Sequence, residues 1–310
     1  MRVVRGLQAF RPPHGGTAVA IGNFDGVHPG HRRVLGELRR LARRRGLAPV
    51  VLTFSPHPEK ALRRSGIPLL QTWEQKSSEI ARLGLPVLLI VTLTPRLAAL
   101  SAQEFVRAVL ARRLRTRAVV VGRGFRFGQD RRGTTADLDR LGRSLNMRVR
   151  IIGPVRKAGR PVSSSSIRKA LFRNDIEGAR RLLGRPYEVQ GRVIRGAKRG
   201  RRLGFPTANL STPNELLPSG IFLSRVVVKG RPFPALAYVG TSPTFGGRSR
   251  RLETYLLGYQ GRLYGEELRV AFFKRLRPER KFATERALIA QMKKDLAAAR
   301  AYFRRHRLGS

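Results

Sequence analysis

The sequence of 310 residues contains no cysteine. This absence excludes a disulfide framework, a cysteine-based zinc site and thiol catalysis, and nothing in the sequence requires an oxidising compartment. Long apolar runs are also missing, since stretches such as residues 86–91 are much shorter than a membrane span. The first ten residues lack the apolar region of a signal peptide. The sequence therefore predicts a soluble, cytoplasmic protein with no membrane partner.

Acidic residues are scarce, with 19 aspartates and glutamates against 64 lysines and arginines, for a formal net charge of +45. Most basic residues are arginines, and they are spread from Arg2 to Arg307 rather than gathered in one block. Two explanations stay open: the codon usage of a genome rich in G and C, and selection for binding a polyanion. Aromatic residues form 7% of the chain and do not alternate with the arginine runs, so a base-stacking surface is not indicated. We expect no specific nucleic-acid partner.

Apolar residues make up 41% of the chain, which is enough for two domains, each with its own core. In the first half, buried strands are predicted at residues 17–21, 49–54, 87–93, 118–121 and 148–152. Amphipathic segments separate them, and one face of the first helix carries Val34, Leu35, Leu38, Leu41 and Ala42. Ser101 and Glu104 predict a capping box at the start of a later helix. This alternation predicts an α/β domain with a doubly wound parallel sheet.

The second half has a different pattern, in which strand follows strand. Strands are predicted at residues 187–195, 221–229, 235–239, 252–259 and 267–273, with Gly- and Pro-rich turns between them. This pattern indicates an antiparallel barrel. A helix over about residues 284–304 follows, in which Leu288, Ile289, Met292, Leu296 and Phe303 keep a helical period. We place the domain boundary between residues 184 and 185, which gives domains 1–184 and 185–310.

A Gly-rich turn at residues 22–31, GNFDGVHPGH, follows the first predicted buried strand and leads directly into a helix. Ligands of open α/β sheets bind beyond the carboxyl ends of the strands, and a helix N-terminus favours an anion. His28 and His31 would lie beside that anion and could donate hydrogen bonds to phosphate oxygens as charge grows on a leaving pyrophosphate. A zinc site is the competing interpretation, but no third ligand is visible nearby.

The H-x-G-H spacing of this turn resembles the signature of the nucleotidylyltransferase superfamily, and its full form resembles that of bacterial bifunctional riboflavin kinase/FAD synthetases (FMN adenylyltransferases). Three further segments resemble this family in order and spacing: LTFSPHP at 52–58, VGRGFRFG at 121–128 and VSSSSIR at 162–168. The resemblance implies a Rossmann-like nucleotidylyltransferase domain, with His28, His31 and Arg168 as catalytic residues. It implies ATP contacts from Gly22, Asn23, Phe24, Asp25, His28, His31, Ser164, Ser165 and Arg168. It implies flavin contacts from Phe54, Pro56, Pro58, Phe125, Arg126 and Phe127.

The serine-rich segment also has a physical interpretation of its own. Hydroxyls and backbone N–H groups at a helix start, with Arg168 in the first turn, would form a second anion cradle facing the first. The alternative is a plain serine-rich linker. Two residues depart from the family pattern: Gly124 stands where Asp or Asn is usual, and Ser165 replaces a Thr.

In the second half, residues 191–210, GRVIRGAKRGRRLGFPTANL, resemble the riboflavin kinase signature, and the resemblance implies a six-stranded barrel with a terminal helix. The glycines would let backbone approach phosphates, and Thr207 and Asn209 offer oxygen ligands suited to Mg²⁺. The implied ATP contacts of the kinase are Gly196, Lys198, Gly200, Thr207 and Asn209. Residues 251–255 (RLETY) and 277–282 (RPERKF) resemble the family segments that supply Glu253 as catalytic base and flavin contact, and Arg277 as a second flavin contact. Tyr238 and Gly258 depart from the family pattern.

The chemistry implied by the resemblance needs different residues in the two halves. The ribityl hydroxyl of riboflavin is a neutral alcohol, so a carboxylate such as Glu253 is needed to accept its proton when the γ-phosphoryl group of ATP arrives. The FMN phosphate is already anionic, so adenylylation needs alignment and neutralisation of charge rather than a base. We therefore expect riboflavin, FMN and ATP as substrates, Mg²⁺ as cofactor, and a monomer or weak homo-oligomer.

Two alternatives stay open at the level of sequence. The Gly124 departure would be compatible with a riboflavin kinase whose adenylylating domain is weak or silent. The positive charge would be compatible with a basic nucleic-acid-associated protein, whose binding would weaken steeply with salt and survive loss of His31.

Overall fold

The computed structural model describes residues 1–57, 66–196, 199–244 and 247–306. The described residues form two compact units, one within Met1–Pro68 and Thr72–Ser164 and the other within Leu69–Gln71 and Ser165–Ser310. The segment between residues 165 and 184 thus clusters with the second unit in the structure. The boundary of the functional domains at 184/185 stays a prediction.

The first unit contains a six-stranded parallel sheet with the order β1-β4-β3-β2-β5-β6. The strands are β1 (Arg2–Arg5), β2 (Thr17–Ile21), β3 (Ala48–Ser55), β4 (Val87–Thr92), β5 (Thr116–Gly122) and β6 (Arg148–Ile152). β2 lies between β3 and β5, where the order of the strands reverses, and ligands of such sheets bind at this switch point. The predicted doubly wound α/β domain is confirmed.

Helices cover both faces of this sheet. They are α1 (Pro29–Arg45), α2 (Trp73–Arg82), α3 (Pro95–Ala98), α4 (Ala102–Glu104) with its π-helical continuation (Phe105–Arg113), and α5 (Thr135–Ser144). The buried residues of α1 are the five that the sequence predicts. Alternate residues of the strands face opposite ways, so Ala18 and Ala20 pack under α1 while Val19 and Ile21 pack on the π-helical side. A two-strand hairpin of β7 (Arg156–Lys157) and β8 (Arg160–Pro161) follows β6.

The second unit is built on a closed antiparallel barrel with the order β10-β13-β12-β11-β14-β9. Its strands are β9 (Tyr187–Ile194), β10 (Ala208–Ser211), β11 (Gly220–Val228), β12 (Arg231–Thr244), β13 (Gly247–Leu256) and β14 (Glu267–Arg277). The helices are α6 (Ser164–Phe172, the first residue of which clusters with the first unit), α7 (Ile176–Leu183), α8 (Arg199–Arg202) and α9 (Glu285–Arg305). The predicted six-stranded barrel with a terminal helix is confirmed.

Two strands and one helix face differ from the sequence-based prediction. β1 was not predicted because it lies at the sheet edge and buries Val4 while Arg2, Val3 and Arg5 are exposed. β10 lies inside the kinase signature and has only four residues, so its alternation of buried and more exposed side chains is too short to predict a strand. On α9, the apolar residues are partly exposed, and the two buried residues are Asp295 and Ala299. Among the described residues, no helix is long and apolar enough to cross a membrane.

Candidate active sites

The turn that follows β2 has a tightly constrained backbone. Phe24 and Val27 have φ angles of 49° and 38°, in a region that non-glycine residues rarely adopt. Backbone strain of this kind concentrates at functional sites. A Cβ atom on Gly22 would lie 3.1 Å from the ring of Phe24, and a Cβ on Gly30 would lie 3.0 Å from the ring of His28. A side chain at either position would press on an aromatic ring, which favours glycine at residues 22 and 30.

The two histidines of the signature are brought together at the start of α1. His28 is the N-cap residue, and its Nδ1 accepts a hydrogen bond from the backbone N–H of His31 at 3.4 Å. The two imidazole rings stack with 3.7 Å between their centroids, and the edge of Phe24 contacts His31. No group of three potential His, Cys, Asp or Glu metal ligands exists within the described residues, which gives no support there to the zinc interpretation.

The imidazole of His31 is held in its neutral form. Burial, then the proximity of His28 and of Lys76, keep the pKa of His31 well below its ordinary value. Its Nδ1 atom is buried and has no hydrogen-bond partner among the described residues. A buried polar atom without a partner is unusual and indicates a position that binds a ligand or water. His31 is therefore the residue of this turn that is best prepared to meet a substrate oxygen.

Lys76 of α2 lies beside the turn, and the sequence analysis did not identify it. Its Nζ atom donates to the main-chain carbonyl of Asn23 at 2.9 Å and lies 4.3 Å from the centroid of the Trp73 ring. Burial lowers the pKa of Lys76 to about 8, against the opposing attraction of Asp25. The available signal was helical spacing, because Lys76 precedes the buried Ile80 by four residues and so lies on its face of the helix.

The serine-rich segment meets the same turn. The hydroxyl of Ser164 donates to the main-chain carbonyl of Asp25 at 2.8 Å, which places the start of α6 next to the signature. Asp25 is buried, with 1% of its surface exposed. Ser165 and Arg168 also lie on α6, and Arg168 is buried. The helix start predicted from the sequence is present, so the interpretation as a plain linker is wrong.

The predicted flavin-side residues of the first unit differ in exposure. Phe54 is half-buried at the end of β3, and Pro56 is exposed just beyond it. Phe125 is partly exposed and stacks on Phe127 with 5.6 Å between the ring centroids, whereas Phe127 is buried against Phe105 in the core. Arg126 is exposed, and Pro58 lies outside the described residues. These flavin contacts stay predictions.

Gly124 marks an open position in this segment. A Cβ atom there would have no described atom within 4 Å, and Gly124 does not have a positive φ. Packing of the described residues therefore does not explain why glycine replaces the usual acidic or amide residue.

The second unit brings three of the predicted kinase residues, Thr207, Asn209 and Glu253, together at the neighbouring strands β10 and β13. Glu253 of β13 is the register partner of Asn209 on β10 and of Tyr238 on β12. The hydroxyl of Thr207 donates to Glu253 Oε2 at 3.0 Å, and Arg251 Nη1 lies 3.4 Å from Oε1. The neighbours of Glu253 in the strand, Leu252 and Thr254, are fully buried. Glu253 therefore projects from the outer face of the barrel, together with its predicted partners.

Two glycines of the kinase signature lie in close contact with neighbouring groups. A Cβ atom on Gly196 would lie 2.4 Å from the side-chain nitrogen of Asn209, and a Cβ on Gly200 would lie 2.4 Å from the carbonyl oxygen of Phe205. Gly196 thus lets the signature loop rest against Asn209. Lys198 lies outside the described residues.

Arg277 and Tyr238 have partners that the sequence analysis did not identify. The guanidinium of Arg277 binds the carboxylate of Asp295 on α9, with its Nη2 at 2.7 Å from Oδ2 and its Nε at 3.1 Å from both oxygens. Its predicted flavin contact stays a prediction. The hydroxyl of Tyr238 hydrogen-bonds to Glu279, and burial together with this bond raises the pKa of Tyr238, so the hydroxyl stays neutral.

Comparison with known families divides the chain into two matched regions. Residues 11–166 match the FAD synthetase family, and residues 183–303 match the riboflavin kinase family. A protein of Pseudomonas fluorescens named bifunctional riboflavin kinase/FMN adenylyltransferase is 38% identical over 303 residues, covering 97% of each chain. The chain belongs to the bifunctional riboflavin kinase/FMN adenylyltransferase family. The Escherichia coli K12 member with the same name is 35% identical over 307 residues, covering 98% of each chain.

The chain is also similar in fold to a solved structure. It is a crystal structure from Streptococcus pneumoniae, titled as a macrolide-efflux protein, with a TM-score of 0.88 and 28% identity. The similarity covers 96% of this chain and 98% of that one. The two family matches together include His28, His31 and Glu253, so both sites lie within the family regions.

Proposed function

We propose that each unit of this bifunctional enzyme performs one step of flavin cofactor synthesis with its own set of residues. The family activities are the phosphorylation of riboflavin to FMN and the adenylylation of FMN to FAD, with ATP as co-substrate in both. We assign the first step to the barrel and the second to the parallel-sheet unit. One observation carries the assignment: the hydrogen-bonded carboxylate of Glu253 lies on β13 of the barrel, whereas stacked histidines lie at the helix start of the other unit.

In the kinase step, Glu253 accepts the proton of the ribityl hydroxyl as its oxygen attacks the γ-phosphorus of ATP and the bond to ADP breaks. Arg251 and Thr207, which contact the two carboxylate oxygens, fix the orientation of Glu253. Gly196 and Gly200 bring backbone close to the ATP phosphates. Thr207 and Asn209 would hold Mg²⁺, since the oxygen atoms that converge with Glu253 suit this hard cation, and the ion would supply charge neutralisation at the phosphates.

In the adenylylation step, a phosphate oxygen of FMN attacks the α-phosphorus of ATP and pyrophosphate leaves. The nucleophile is already an anion, so the site aligns two anions and stabilises the departing charge. The N-terminal end of α1 directs backbone N–H groups and a positive partial charge at the phosphates. Neutral His31 donates a ring N–H to a phosphate oxygen, beside His28 and Ser164 of the same unit, and the ATP contacts of Ser165 and Arg168 stay predictions from the family resemblance.

Two variants test this division. His31→Ala should lower FAD formation from supplied FMN by at least about 100-fold, because it removes a donor to the transition state, and should leave FMN formation unchanged. Glu253→Gln should do the reverse, because the amide cannot accept the ribityl proton. Chromatography of the products from ATP, Mg²⁺ and either riboflavin or FMN measures both steps in one preparation.

The two variants serve as matched controls for each other. Equal loss of both steps in either variant would contradict independent sites, and undiminished kinase activity of Glu253→Gln would place the base elsewhere. If the unaltered enzyme made FMN but no FAD, the first unit would lack adenylylating activity. Gly124 would then be the first position at which to reintroduce the usual Asp or Asn.

The remaining expectations about partners concern the whole enzyme. ATP use in both steps supports the predicted cytoplasmic location, because ATP is supplied there. A monomer or weak homo-oligomer, with no specific nucleic-acid partner, stays our prediction, and sedimentation of the purified enzyme at several concentrations tests the oligomeric state.

A further inference from the structure

We propose that Lys76 is a positioning residue of the adenylylation site, which fixes the signature turn through the carbonyl of Asn23 and places an ammonium group beside it. The inference rests on the proposed function of the first unit. Family membership does not assign this residue, and it lies outside the segments that resemble the family signatures.

Lys76 is buried and hydrogen-bonded to the signature turn, unlike a lysine on the protein surface. Only 4% of the residue is exposed, although it belongs to a type that is almost never buried without a partner. Its Nζ donates to the Asn23 carbonyl at 2.9 Å, and the hydroxyl of Thr53 on β3 donates to the same oxygen at 3.3 Å. The Trp73 ring covers the ammonium group. One helix and one strand thus each supply a donor to the same carbonyl of the turn.

The position of that carbonyl explains what Lys76 does. The Asn23 carbonyl belongs to the peptide immediately before Phe24, whose φ of 49° is sparsely populated and must be held by its surroundings. The turn then continues to His28 and His31. A shift of the Asn23 peptide would move both imidazoles relative to the incoming phosphates, and displacements of about 1 Å can cost on the order of 100-fold in rate.

The charge of Lys76 has a second effect on the same turn. The titratable groups that interact with it are Asp25, whose carboxylate attracts the ammonium, and His31, whose protonation the ammonium opposes. His28, stacked on His31, acts on His31 in the same direction as Lys76. Lys76 therefore helps to keep His31 neutral at neutral pH.

The first test compares Lys76→Met with Lys293→Met. Methionine keeps most of the volume of lysine but removes the donor and the charge, and Lys293 is an exposed lysine on α9. We expect Lys76→Met to lower kcat for FAD formation on the order of 100-fold while FMN formation is unchanged. The proton NMR titration of His31, identified among the five histidines by its loss in His31→Ala, should move to higher pH. Lys293→Met should change none of these.

The second test restores the ammonium chemically. Because the chain has no cysteine, Lys76→Cys carries one thiol, which 2-bromoethylamine converts to a near-copy of lysine under denaturing conditions before refolding. Iodoacetamide gives a matched neutral adduct that still carries N–H donors. We expect FAD synthesis to return with the aminoethyl adduct but not with the carboxamidomethyl adduct. Riboflavin kinase activity, and unaltered enzyme refolded in the same way, verify refolding.

The outcomes separate this inference from the proposed function. If the unaltered enzyme makes no FAD from FMN, the proposed function of the first unit fails. If it makes FAD and Lys76→Met makes FAD equally well, the positioning role of Lys76 is overturned. Equal activity of the two adducts would overturn the requirement for charge, and an unmoved His31 titration in Lys76→Met would overturn the electrostatic link.

Discussion

At the scale of single residues, the close contact between Gly196 and the side chain of Asn209 predicts that a larger residue at position 196 impairs the kinase. Gly196→Ala places a methyl group 2.4 Å from the side-chain nitrogen of Asn209, so either the loop or Asn209 must move. Because both belong to the predicted ATP and Mg²⁺ site, we expect kinase activity to fall on the order of 100-fold. FAD formation from supplied FMN should be unchanged.

The matched control is Gly153→Ala, a position with no described atom within 4 Å of a Cβ and without a positive φ. This change should leave both activities intact. Normal kinase turnover in Gly196→Ala would show that the loop accommodates the methyl group and that Asn209 is not held where the structure places it.

The sequence identifies site residues that lie in contiguous motifs and misses those that fold over them from elsewhere. His28 and His31 are three residues apart in one turn, so their stacking follows from local spacing. Lys76 lies 53 residues from the carbonyl that it binds, and the Tyr238–Glu279 pair spans 41 residues. Such contacts depend on which elements become neighbours, which no local pattern encodes.

At the scale of secondary-structure elements, the terminal helix α9 is joined to the barrel by a buried ion pair rather than by apolar packing alone. The side chains of Arg277 and Asp295 are 17% and 6% exposed and form a bidentate pair, and Gln291 donates to the same carboxylate at 2.8 Å. Asp295→Ala leaves the Arg277 charge uncompensated, so we expect the unfolding free energy of the second unit to fall by about 3 kcal/mol.

Urea unfolding followed by circular dichroism measures this loss, and Asp139→Ala is the matched control. Asp139 pairs with Arg143 on the surface of α5, with 33% and 80% of the two side chains exposed, so its removal should cost less than about 1 kcal/mol. Equal effects of the two variants would show that the pair on α9 is not a buried charge pair in solution.

The same elements show why periodicity predicts some of the fold and not the rest. Strands such as β2, in which all five residues are buried, carry a continuous apolar run that is visible in the sequence. β1 buries one side chain, and α9 buries a carboxylate, so neither presents an apolar stripe that matches its packing. Hydrophobic periodicity therefore does not predict strands at the edge of a core or helices that are joined to the core by a charge pair.

At the scale of the whole molecule, the question is whether the charge of +45 is selected for a partner. Two acidic residues are each shared between two arginines: Glu37 contacts Arg40 and Arg150, and Glu79 contacts Arg32 and Arg82. The surplus arginines must then repel one another and attract any polyanion without discrimination. Composition alone therefore predicts association with nucleic acid that is weak, non-specific and dominated by counterion release.

We accordingly expect two unrelated DNA duplexes to bind with equal affinity at about 50 mM salt and to lose on the order of 1,000-fold in affinity by about 200 mM. Fluorescence anisotropy over a salt series measures both quantities. FAD synthesis at the higher salt should be insensitive to added duplex, because the anion sites of the two units are assigned to ATP and flavin phosphates. Affinity that differs between the duplexes and persists at the higher salt would instead show that the basic surface has a partner of its own, since non-specific phosphate contacts carry no sequence information.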